Sequence, residues 1–271
     1  MNSIDYLDED YLDNRAIKKA LNKVDKSEKA TRFLNRRSED FQVFQDVFNK
    51  PTLITLYNLF NNGTLSYLNG IVNSGKESNI FWGVTPDGTD VAVKIYMTVS
   101  SAFRKRLQYI EGDNRFKNIN RNGHKLIELW ARKEYRNLLK AYSLKIPVPK
   151  PVTVKRNILV IEFIGIKGKS FPTFAETEVT ELDLEKTISI VKRLYNESKL
   201  VHSDLSEFNI FKNSTEVIFF DFGSAIDISH PMANDFLLRD LNNINRFFLK
   251  RGIDGFDPNK KFGEIVRNDV S

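Results

Sequence analysis

Three polar residues arranged around two short apolar runs constrain the fold of this chain more than any other feature. The runs 209–211 and 217–220 predict two strands with a turn between them. Asn209 begins the first strand, Asp221 follows the second, and Asp204 lies five residues before Asn209. Such a hairpin brings Asn209 and Asp221 to the same end of the strand pair, and Asp204 lies on the loop that leads into it. Two hard oxygen ligands beside a separate carboxylate suit the chemistry of a magnesium-bound nucleotide.

The composition limits the class of protein. With 271 residues the chain can form one large domain or two lobes, and its 41% hydrophobic content is ordinary for a globular protein. It has no cysteine, which excludes disulfides and thiolate metal sites, and its three histidines disfavour a histidine-rich zinc site. No apolar run approaches the roughly 18 residues that cross a bilayer. The start of the chain is acidic and unlike a signal peptide, so we expect a cytoplasmic protein without membrane contact.

Positive charge is concentrated in two stretches. The net charge is +6, and basic residues cluster in residues 15–37 and again between Arg104 and Lys125. We interpret 1–37 as a polar charged arm, and 38–64 as helices with apolar residues at helical spacing. The stretch 104–125 is interpreted as a mobile basic loop over the site. Both basic stretches suit an anionic partner such as RNA, although charge of this kind also serves solubility alone.

Residues 65–161 show the pattern of a strand-rich lobe. Runs 67–72, 79–84 and 91–96 predict strands, with a polar turn between the first two. In that turn Ser74, Gly75 and Lys76 could offer backbone N–H groups, a hydroxyl and an ammonium to phosphates, although most turns of this composition are only turns. No Gly-Lys-Ser/Thr opens a helix here, so this is not a Walker loop.

A lysine and a glutamate are predicted to form a pair. Lys94 lies in the alternating run 91–95, on a sheet face where an ammonium is costly without an anionic partner. Glu134 lies in the middle of the apolar stripe of a helix, spaced four residues from Trp130 and from Leu138. A carboxylate at such a position is expected to be paired, and Lys94 is the candidate partner. The alternative is a glutamate at the edge of the stripe that reaches water.

The remainder predicts a hinge followed by a helical lobe. Pro147 to Pro151 is interpreted as an extended crossing, and the run 158–165 as a buried strand that continues into a linker. We interpret residues 162–165 as a hinge whose exposed backbone can pair with the edge of a flat heterocycle. The second lobe, 166–271, has predicted helices at 182–200 and 234–250, the latter ending at Gly252 as the final helix.

In this order, the motifs resemble the protein-kinase fold, and more narrowly the RIO family of atypical protein kinases, in the branch nearest its archaeal first-type members. The resemblance covers roughly residues 50–252, and its most specific string is His202-Ser203-Asp204-Leu205-Ser206-Glu207. It implies an α+β, bilobal fold with an antiparallel-sheet N-lobe, a helical C-lobe, an N-terminal helical extension and no activation loop. The other segments that carry it are Ser74-Gly75-Lys76-Glu77-Ser78-Asn79, Val91-Ala92-Val93-Lys94-Ile95-Tyr96, Lys133-Glu134-Tyr135-Arg136-Asn137-Leu138, Asp221-Phe222-Gly223-Ser224-Ala225, His230-Pro231 and Arg239-Asp240 to Phe248.

The resemblance implies roles for the catalytic and metal-binding residues. Asp204 would orient or deprotonate the attacking hydroxyl, and Asn209 and Asp221 would hold Mg²⁺ or Mn²⁺. An aspartyl phosphate on Asp221 is a further implication. Nucleotide contacts would come from Ser74, Gly75, Lys76, Lys94 tethered by Glu134, and the backbone of Glu162 and Ile164.

Two departures from conventional protein kinases bear on the substrate. Ser203 replaces the arginine with which many kinases sense a phosphorylated activation loop, and the chain passes from Gly223 to His230 in few residues, with no Ala-Pro-Glu segment. We therefore do not expect conventional peptide phosphorylation. The resemblance implies an ATP-dependent serine/threonine kinase or ATPase switch acting on the maturing small ribosomal subunit, with rRNA and proteins as partners. An autophosphorylation site is expected in or beside the basic loop, at Ser100 or Ser101.

Two other classes of function stay open. One is a small-molecule phosphotransferase of the aminoglycoside-kinase type, which shares the fold and also lacks an activation loop. The other is a non-catalytic RNA-binding scaffold. Intact Lys94, Asp204, Asn209 and Asp221 weigh against the scaffold, and the string from Ser74 to Asn79 weighs against the phosphotransferase.

Overall fold

A five-stranded antiparallel sheet builds the N-terminal part of the molecule. The computed structural model describes residues 49–75, 77–97, 107–113, 115–116, 123–214 and 216–267. In space the strands follow the order β1-β2-β3-β5-β4. Their bounds are β1 Tyr67–Ser74, β2 Ser78–Val84, β3 Asp90–Tyr96, β4 Pro151–Lys155 and β5 Ile158–Glu162.

Helix α1, Lys50–Asn61, packs on one face of this sheet. Its first turn contains Pro51, and the side chain of Asn49 accepts a hydrogen bond of 3.0 Å from the N–H of Thr52, which caps the helix. The apolar side of α1 joins the inward residues of β2, β3 and β5 in one buried cluster. The helical spacing of the stretch around Leu56 is thereby confirmed, whereas the predicted run 41–48 and the arm 1–37 lie outside the described residues.

Helix α2, Gly123–Ser143, follows the connection from β3 and packs against β4 and β5. Its buried stripe includes Trp130, Ala131 and Leu138, which belong to a second cluster that extends into the C-terminal part of the chain. Because Lys133 and Glu134 lie within this buried stripe, α2 carries charged groups into the centre of the molecule.

Helices and short strand pairs make up the rest of the part of the chain that the structure describes. Three two-stranded ladders pair β6 with β7, β8 with β11 and β9 with β10. The elements are β6 Gly165–Ile166, β7 Lys169–Ser170, α3 Glu181–Asn196, β8 Leu200–Val201, β9 Ile210–Asn213, β10 Glu216–Phe219, β11 Ile226–Asp227, α4 Ala233–Lys250 and α5 Pro258–Arg267. Helix α3 begins with a capping box between Thr180 and Asp183. Among the helices of the described part, none combines the length and apolar character that a bilayer crossing requires.

The structure confirms the α+β architecture with a helical second part and differs from the sequence expectations in four elements. One is the predicted helix 182–200, which ends at Asn196, before β8 begins at Leu200. Residues 151–155, directly after the predicted crossing 147–151, form the strand β4, which was not predicted, because their backbone pairs with β5. Residues 234–250 are not the final helix, since α5 follows and packs on α3 and α4. The predicted strand 158–165 ends at Glu162. The boundaries proposed for arm, lobes and hinge stay predictions.

The stretch interpreted as a mobile basic loop contains an anchored segment. Residues 107–109 form a turn of 3₁₀ helix, and Ile110 and Phe116 are buried against the C-terminal core. The ring of His230 lies with Nε2 2.9 Å from the carbonyl oxygen of Glu111 and 3.0 Å from that of Gln108. These contacts hold residues 107–113 against the C-terminal core, and the mobility expected of the stretch 104–125 stays a prediction. Residues 98–106, 114 and 117–122, including Ser100 and Ser101, lie outside the described residues.

Candidate active site

The β9–β10 hairpin places Asn209 and Asp221 at the same end of one strand pair. Ile210 pairs with Phe219, and the N–H of Phe220 donates to the carbonyl of Asn209 at 3.1 Å, which extends the ladder by one residue. The chain then turns sharply, since Asp221 adopts a left-handed backbone conformation with φ of +61°. For a residue with a Cβ this conformation is unfavourable, and it persists only where the surroundings enforce it.

Lys94 connects the sheet, helix α2 and the Asp221 turn. Its ammonium nitrogen lies 3.0 and 2.9 Å from the two carboxylate oxygens of Glu134 and 2.9 Å from Oδ1 of Asp221. Tyr96 donates its hydroxyl to the same glutamate. Burial by itself would lower the pKa of Lys94, but the carboxylates of Asp221 and Glu134 outweigh it and hold the pKa well above its usual range. Lys94 is therefore a fixed cation at this site.

The backbone of the loop that carries Asp204 is hydrogen-bonded to a buried carboxylate. Asp240, on α4, accepts the N–H of Ser203 at 2.8 Å and that of Leu205 at 3.0 Å. Ser203 is itself left-handed, with φ of +65°, and its carbonyl accepts a hydrogen bond from Arg239. These contacts fix the backbone on both sides of Asp204, and Asp204 itself is exposed. Burial raises the pKa of Asp240 to about 7, against the opposing effect of the two N–H donors.

Asn209 is oriented for metal binding. Its amide nitrogen donates to the carbonyl of Asp204 at 2.7 Å, which leaves the amide oxygen as the ligand atom. An amide oxygen and the Asp221 carboxylate, which is 40% exposed, are the hard donors that Mg²⁺ prefers. Within the described ranges no three acidic, histidine or cysteine side chains cluster to hold a metal by themselves. Nucleotide phosphates and water would complete the coordination of an ion held by this pair.

Between β1 and β2 lies the turn that was predicted to contact phosphates. The hydroxyl of Ser74 donates to the side chain of Asn79 at 2.8 Å, and the N–H of Gly75 bonds to the carbonyl of Ser78. Asn79 pairs in the sheet with Ile95, the residue after Lys94, so the turn lies beside the lysine. Lys76 lies outside the described residues. A phosphate role for Ser74, Gly75 and Lys76 stays a prediction.

The segment expected to bind adenine follows β5. Glu162 is the last residue of β5, and its carboxylate accepts the N–H of Lys150 at 3.0 Å. Ile164 precedes β6, and its carbonyl accepts the N–H of Phe171 at 3.0 Å. The side chain of Phe163 between them is buried. Adenine contacts of Glu162 and Ile164 stay predictions, and for Ile164 they would use the N–H, because its carbonyl is engaged.

Sequence reasoning missed four buried polar residues around this site. Tyr96 contacts Glu134, Asp240 holds the loop of Asp204, and Lys133 and Asn137 donate to backbone carbonyls near Gly223. A signal was present for each, because all four lie in the apolar pattern of a strand or helix, where a polar group needs a partner. The apolar pattern shows that each of these residues needs a partner but does not identify that partner. Tyr96 bonds to Glu134, which was already assigned to Lys94, and the other three bond to backbone groups.

Comparison with known proteins places the chain in a family. A family model described as the RIO domain matches residues 79–261. The chain is 37% identical over 219 residues to the RIO-type serine/threonine-protein kinase Rio1 of Haloferax volcanii, covering 80% of this chain and 75% of that protein. It is 37% identical over 231 residues to the protein of the same name from Methanocaldococcus jannaschii, with coverages of 84% and 77%.

A longer eukaryotic relative agrees with this placement, and a solved structure has the same fold. The serine/threonine-protein kinase RIO1 of Homo sapiens is 32% identical over 221 residues, which are 79% of this chain but 39% of that protein. The crystal structure of the Rio2 kinase–ADP/Mg²⁺–phosphoaspartate complex from Chaetomium thermophilum superposes with a TM-score of 0.64 at 19% identity, covering 94% of this chain and 88% of that one, which shows a shared fold. This chain therefore belongs to the RIO family, whose matched members are named serine/threonine-protein kinases.

Proposed function

We propose that this RIO-family kinase transfers the γ-phosphate of ATP to serine or threonine hydroxyls, its own included, in a reaction that requires Mg²⁺ or Mn²⁺. The observation that carries the proposal is the contact of one buried ammonium, Lys94, with both Glu134 and Asp221. Phosphoryl transfer by kinases requires an ion pair between a strand lysine and a helix glutamate, and an aspartate that binds Mg²⁺, and this contact brings all three side chains together.

Each residue has a chemical task in this proposal. Asp204 accepts the proton of the attacking hydroxyl, and the hydrogen bonds around Ser203 and Leu205 keep its loop in place. Lys94 offsets the charge of the α- and β-phosphates. Asn209 and Asp221 supply oxygen ligands, and a bound Mg²⁺ would neutralise the charge that develops on the phosphates.

The partner and the cellular role belong to the same proposal. The net charge of +6 and the basic stretches in residues 15–37 and 104–125 support an anionic partner, and we propose the maturing small ribosomal subunit, with its rRNA and proteins. Only residues 224–232 separate Gly223 from helix α4, which leaves little chain for docking a peptide. Turnover as an ATPase switch, with a phosphate carried on Asp221, and a cytoplasmic location are parts of this proposal.

One substitution tests the catalytic assignment. Asp204→Ala should abolish autophosphorylation and ATP turnover and leave nucleotide affinity unchanged, because the carboxylate contacts the acceptor and not the nucleotide. Asp254→Ala, at an exposed position after α4, serves as the control and should retain turnover. Full turnover in Asp204→Ala would contradict the assignment of Asp204.

Separate measurements address substrate and partner. Sedimentation with small ribosomal subunits, in the presence of ATP or of a non-hydrolysable analogue, should show binding that depends on the nucleotide. Equal binding in both conditions would argue against a switch. Stimulation of ATP hydrolysis by aminoglycosides would instead favour a small-molecule phosphotransferase.

A further inference from the structure

Two side chains of helix α2 hold the backbone that directly follows Asp221. Lys133 donates from Nζ to the carbonyl of Gly223 at 2.9 Å and also to that of Ala225. Asn137 donates from Nδ2 to the carbonyl of Phe222 at 3.0 Å and to that of Ala225 at 2.8 Å. Side chains of one helix thus bind three of the four backbone carbonyls of residues 222–225.

These donors are completely buried, and they come from the same helix as the glutamate of the active site. Lys133 and Asn137 are both 0% exposed and are four residues apart, so they lie on one face of α2. Glu134, the neighbour of Lys133, binds Lys94. Because buried polar groups are costly unless hydrogen-bonded, α2 cannot move away from the Asp221 turn without leaving an ammonium and an amide unsatisfied.

The Asp221 turn needs such support. Asp221 has φ of +61°, a conformation that a residue with a Cβ adopts only under constraint. Gly223 packs so closely on α2 that an added Cβ would lie 2.8 Å from Nε1 of Trp130. The helix therefore approaches the segment to contact distance on the apolar side as well as through hydrogen bonds.

A residue in the connection between β3 and α2, Arg115, supports one of the two donors, Asn137. Arg115 donates from Nη1 to Oδ1 of Asn137 at 2.8 Å. The guanidinium of Arg115 is in turn held by the buried carboxylate of Asp113, with Nε 2.8 Å from Oδ1. Because the Asn137 oxygen is occupied by Arg115, its amide nitrogen is directed at the carbonyls of Phe222 and Ala225.

We propose that Lys133 and Asn137 are positioning residues that hold the Asp221 turn in the metal-binding conformation, and that Arg115 supports Asn137 in this role. The three residues thereby do within this chain what an ordered activation loop does in kinases that have one. The inference rests on the proposed function, since it takes Asp221 as a ligand of the Mg²⁺ that accompanies the nucleotide.

Magnesium-dependent nucleotide affinity tests the proposal without relying on turnover. Fluorescent ADP would be titrated into the full chain and into the variants Lys133→Met, Asn137→Leu and Arg115→Met, in EDTA and at increasing Mg²⁺. We expect the half-saturating Mg²⁺ to rise about tenfold in the first two variants, the effect typical of residues that orient metal ligands, and about threefold in Arg115→Met. Affinity in EDTA should change less than about twofold in all three, because the adenine contacts lie on another element.

Arg132→Met is the matched control. It removes an exposed cationic side chain next to Lys133 on the same helix. It should leave unchanged both the half-saturating Mg²⁺ concentration and the ADP affinity in EDTA. Variants whose thermal unfolding remains cooperative but whose half-saturating Mg²⁺ equals that of the unmodified protein would overturn the proposal. If Lys133→Met fails to fold, Arg115→Met decides, because Arg115 is only partly buried and its loss leaves the core intact.

The same titration separates this inference from the proposed function. If ADP affinity of the unmodified chain does not depend on Mg²⁺, the metal-dependent function itself fails, and the positioning role fails with it. If the unmodified chain shows the dependence and the variants match it, the positioning role alone is wrong.

Discussion

The ammonium of Lys94 lies 2.9 Å from Oδ1 of Asp221, a residue 127 positions further along the chain. This contact joins β3 of the sheet to the turn after the β9–β10 hairpin, and Glu134 adds helix α2 to the same cation. Three elements that are distant in sequence therefore meet at one buried positive charge. Substitutions at this point should affect stability and nucleotide chemistry together.

We expect Glu134→Gln to lower the free energy of unfolding by about 3 kcal/mol, because it removes the charge of one partner of a buried ion pair. ATP turnover should fall at least about tenfold as Lys94 loses its tether. Urea denaturation and a turnover assay measure the two effects. Glu128→Gln, on the same helix, breaks a partly exposed pair with Arg156 and should cost less than about 1 kcal/mol. Equal losses in both variants would contradict the special role of Glu134.

Asn209→Ala should weaken the metal site. It removes an oxygen ligand and the 2.7 Å hydrogen bond to the carbonyl of Asp204. We expect the Mg²⁺ concentration for half-maximal turnover to rise about tenfold or more. Asn213→Ala, at the other end of β9, tests whether the hairpin itself is sensitive and should leave the Mg²⁺ requirement unchanged. A shift shared by the two variants would point to the hairpin fold and not to the ligand.

The buried carboxylate of Asp240 should make stability depend on pH. Burial raises its pKa from 3.8 to about 7, so the folded state binds this proton more tightly than the unfolded state does. The resulting stability is fully present below about pH 4 and is lost as pH rises through about 7. Urea denaturation from pH 4 to 8 should therefore show a falling unfolding free energy in the unmodified chain.

The Asp240→Asn variant isolates this contribution, since it cannot ionise. Its unfolding free energy should fall less steeply between pH 4 and 8, because the contribution of one titrating carboxyl group to the pH dependence is removed. Asp235→Asn, at an exposed position in the first turn of the same helix, should keep the slope of the unmodified chain. A slope unchanged in Asp240→Asn would show that Asp240 does not hold this proton.

Gly223→Ala should destabilise the protein by about 1–3 kcal/mol, the usual cost of forcing a methyl group into a packed interior. The added Cβ would lie 2.8 Å from Nε1 of Trp130 and 3.3 Å from Oε2 of Glu134. Gly263→Ala is the control, since nothing lies within 4 Å of a Cβ there and the residue is in helix α5. That change should stabilise the chain by up to about 1 kcal/mol. Thermal unfolding of both variants measures the contrast, and similar values would refute it.

His230→Ala should release the anchored segment 107–113. The imidazole contacts the carbonyls of Gln108 and Glu111, and its loss removes both contacts. Hydrogen exchange of the amides of Ile110 and Asp113, which bond within this segment, should accelerate about tenfold. Ser229→Ala, next to His230 and exposed, should leave this exchange unchanged. Unchanged exchange in His230→Ala would mean that the apolar contacts alone hold the segment.

Local pattern accounts for most of what the sequence predicts correctly. Alternation and turn residues located β1, β2, β3 and the β9–β10 hairpin, because a strand with one buried face must repeat every second residue. The partnership of Lys94 and Glu134 followed from two charges at apolar positions, since each needs a partner of opposite sign. The carboxylate of Asp221 as a further partner of Lys94 was not foreseen, because Asp221 lies on a turn with no repeating pattern.

The chain by itself determines the order of its motifs, the strands and helices that carry them, and the chemical types gathered at the site. Only the tertiary structure decides which contacts fix the site in place. Asp240 accepts hydrogen bonds from the loop of Asp204, and Lys133 and Asn137 donate to the backbone that follows Asp221. The physical reason is that these contacts end on backbone N–H and carbonyl groups, 35 to 92 residues away. Every residue except proline carries both groups. The sequence therefore does not indicate which backbone N–H or carbonyl a buried side chain will bind.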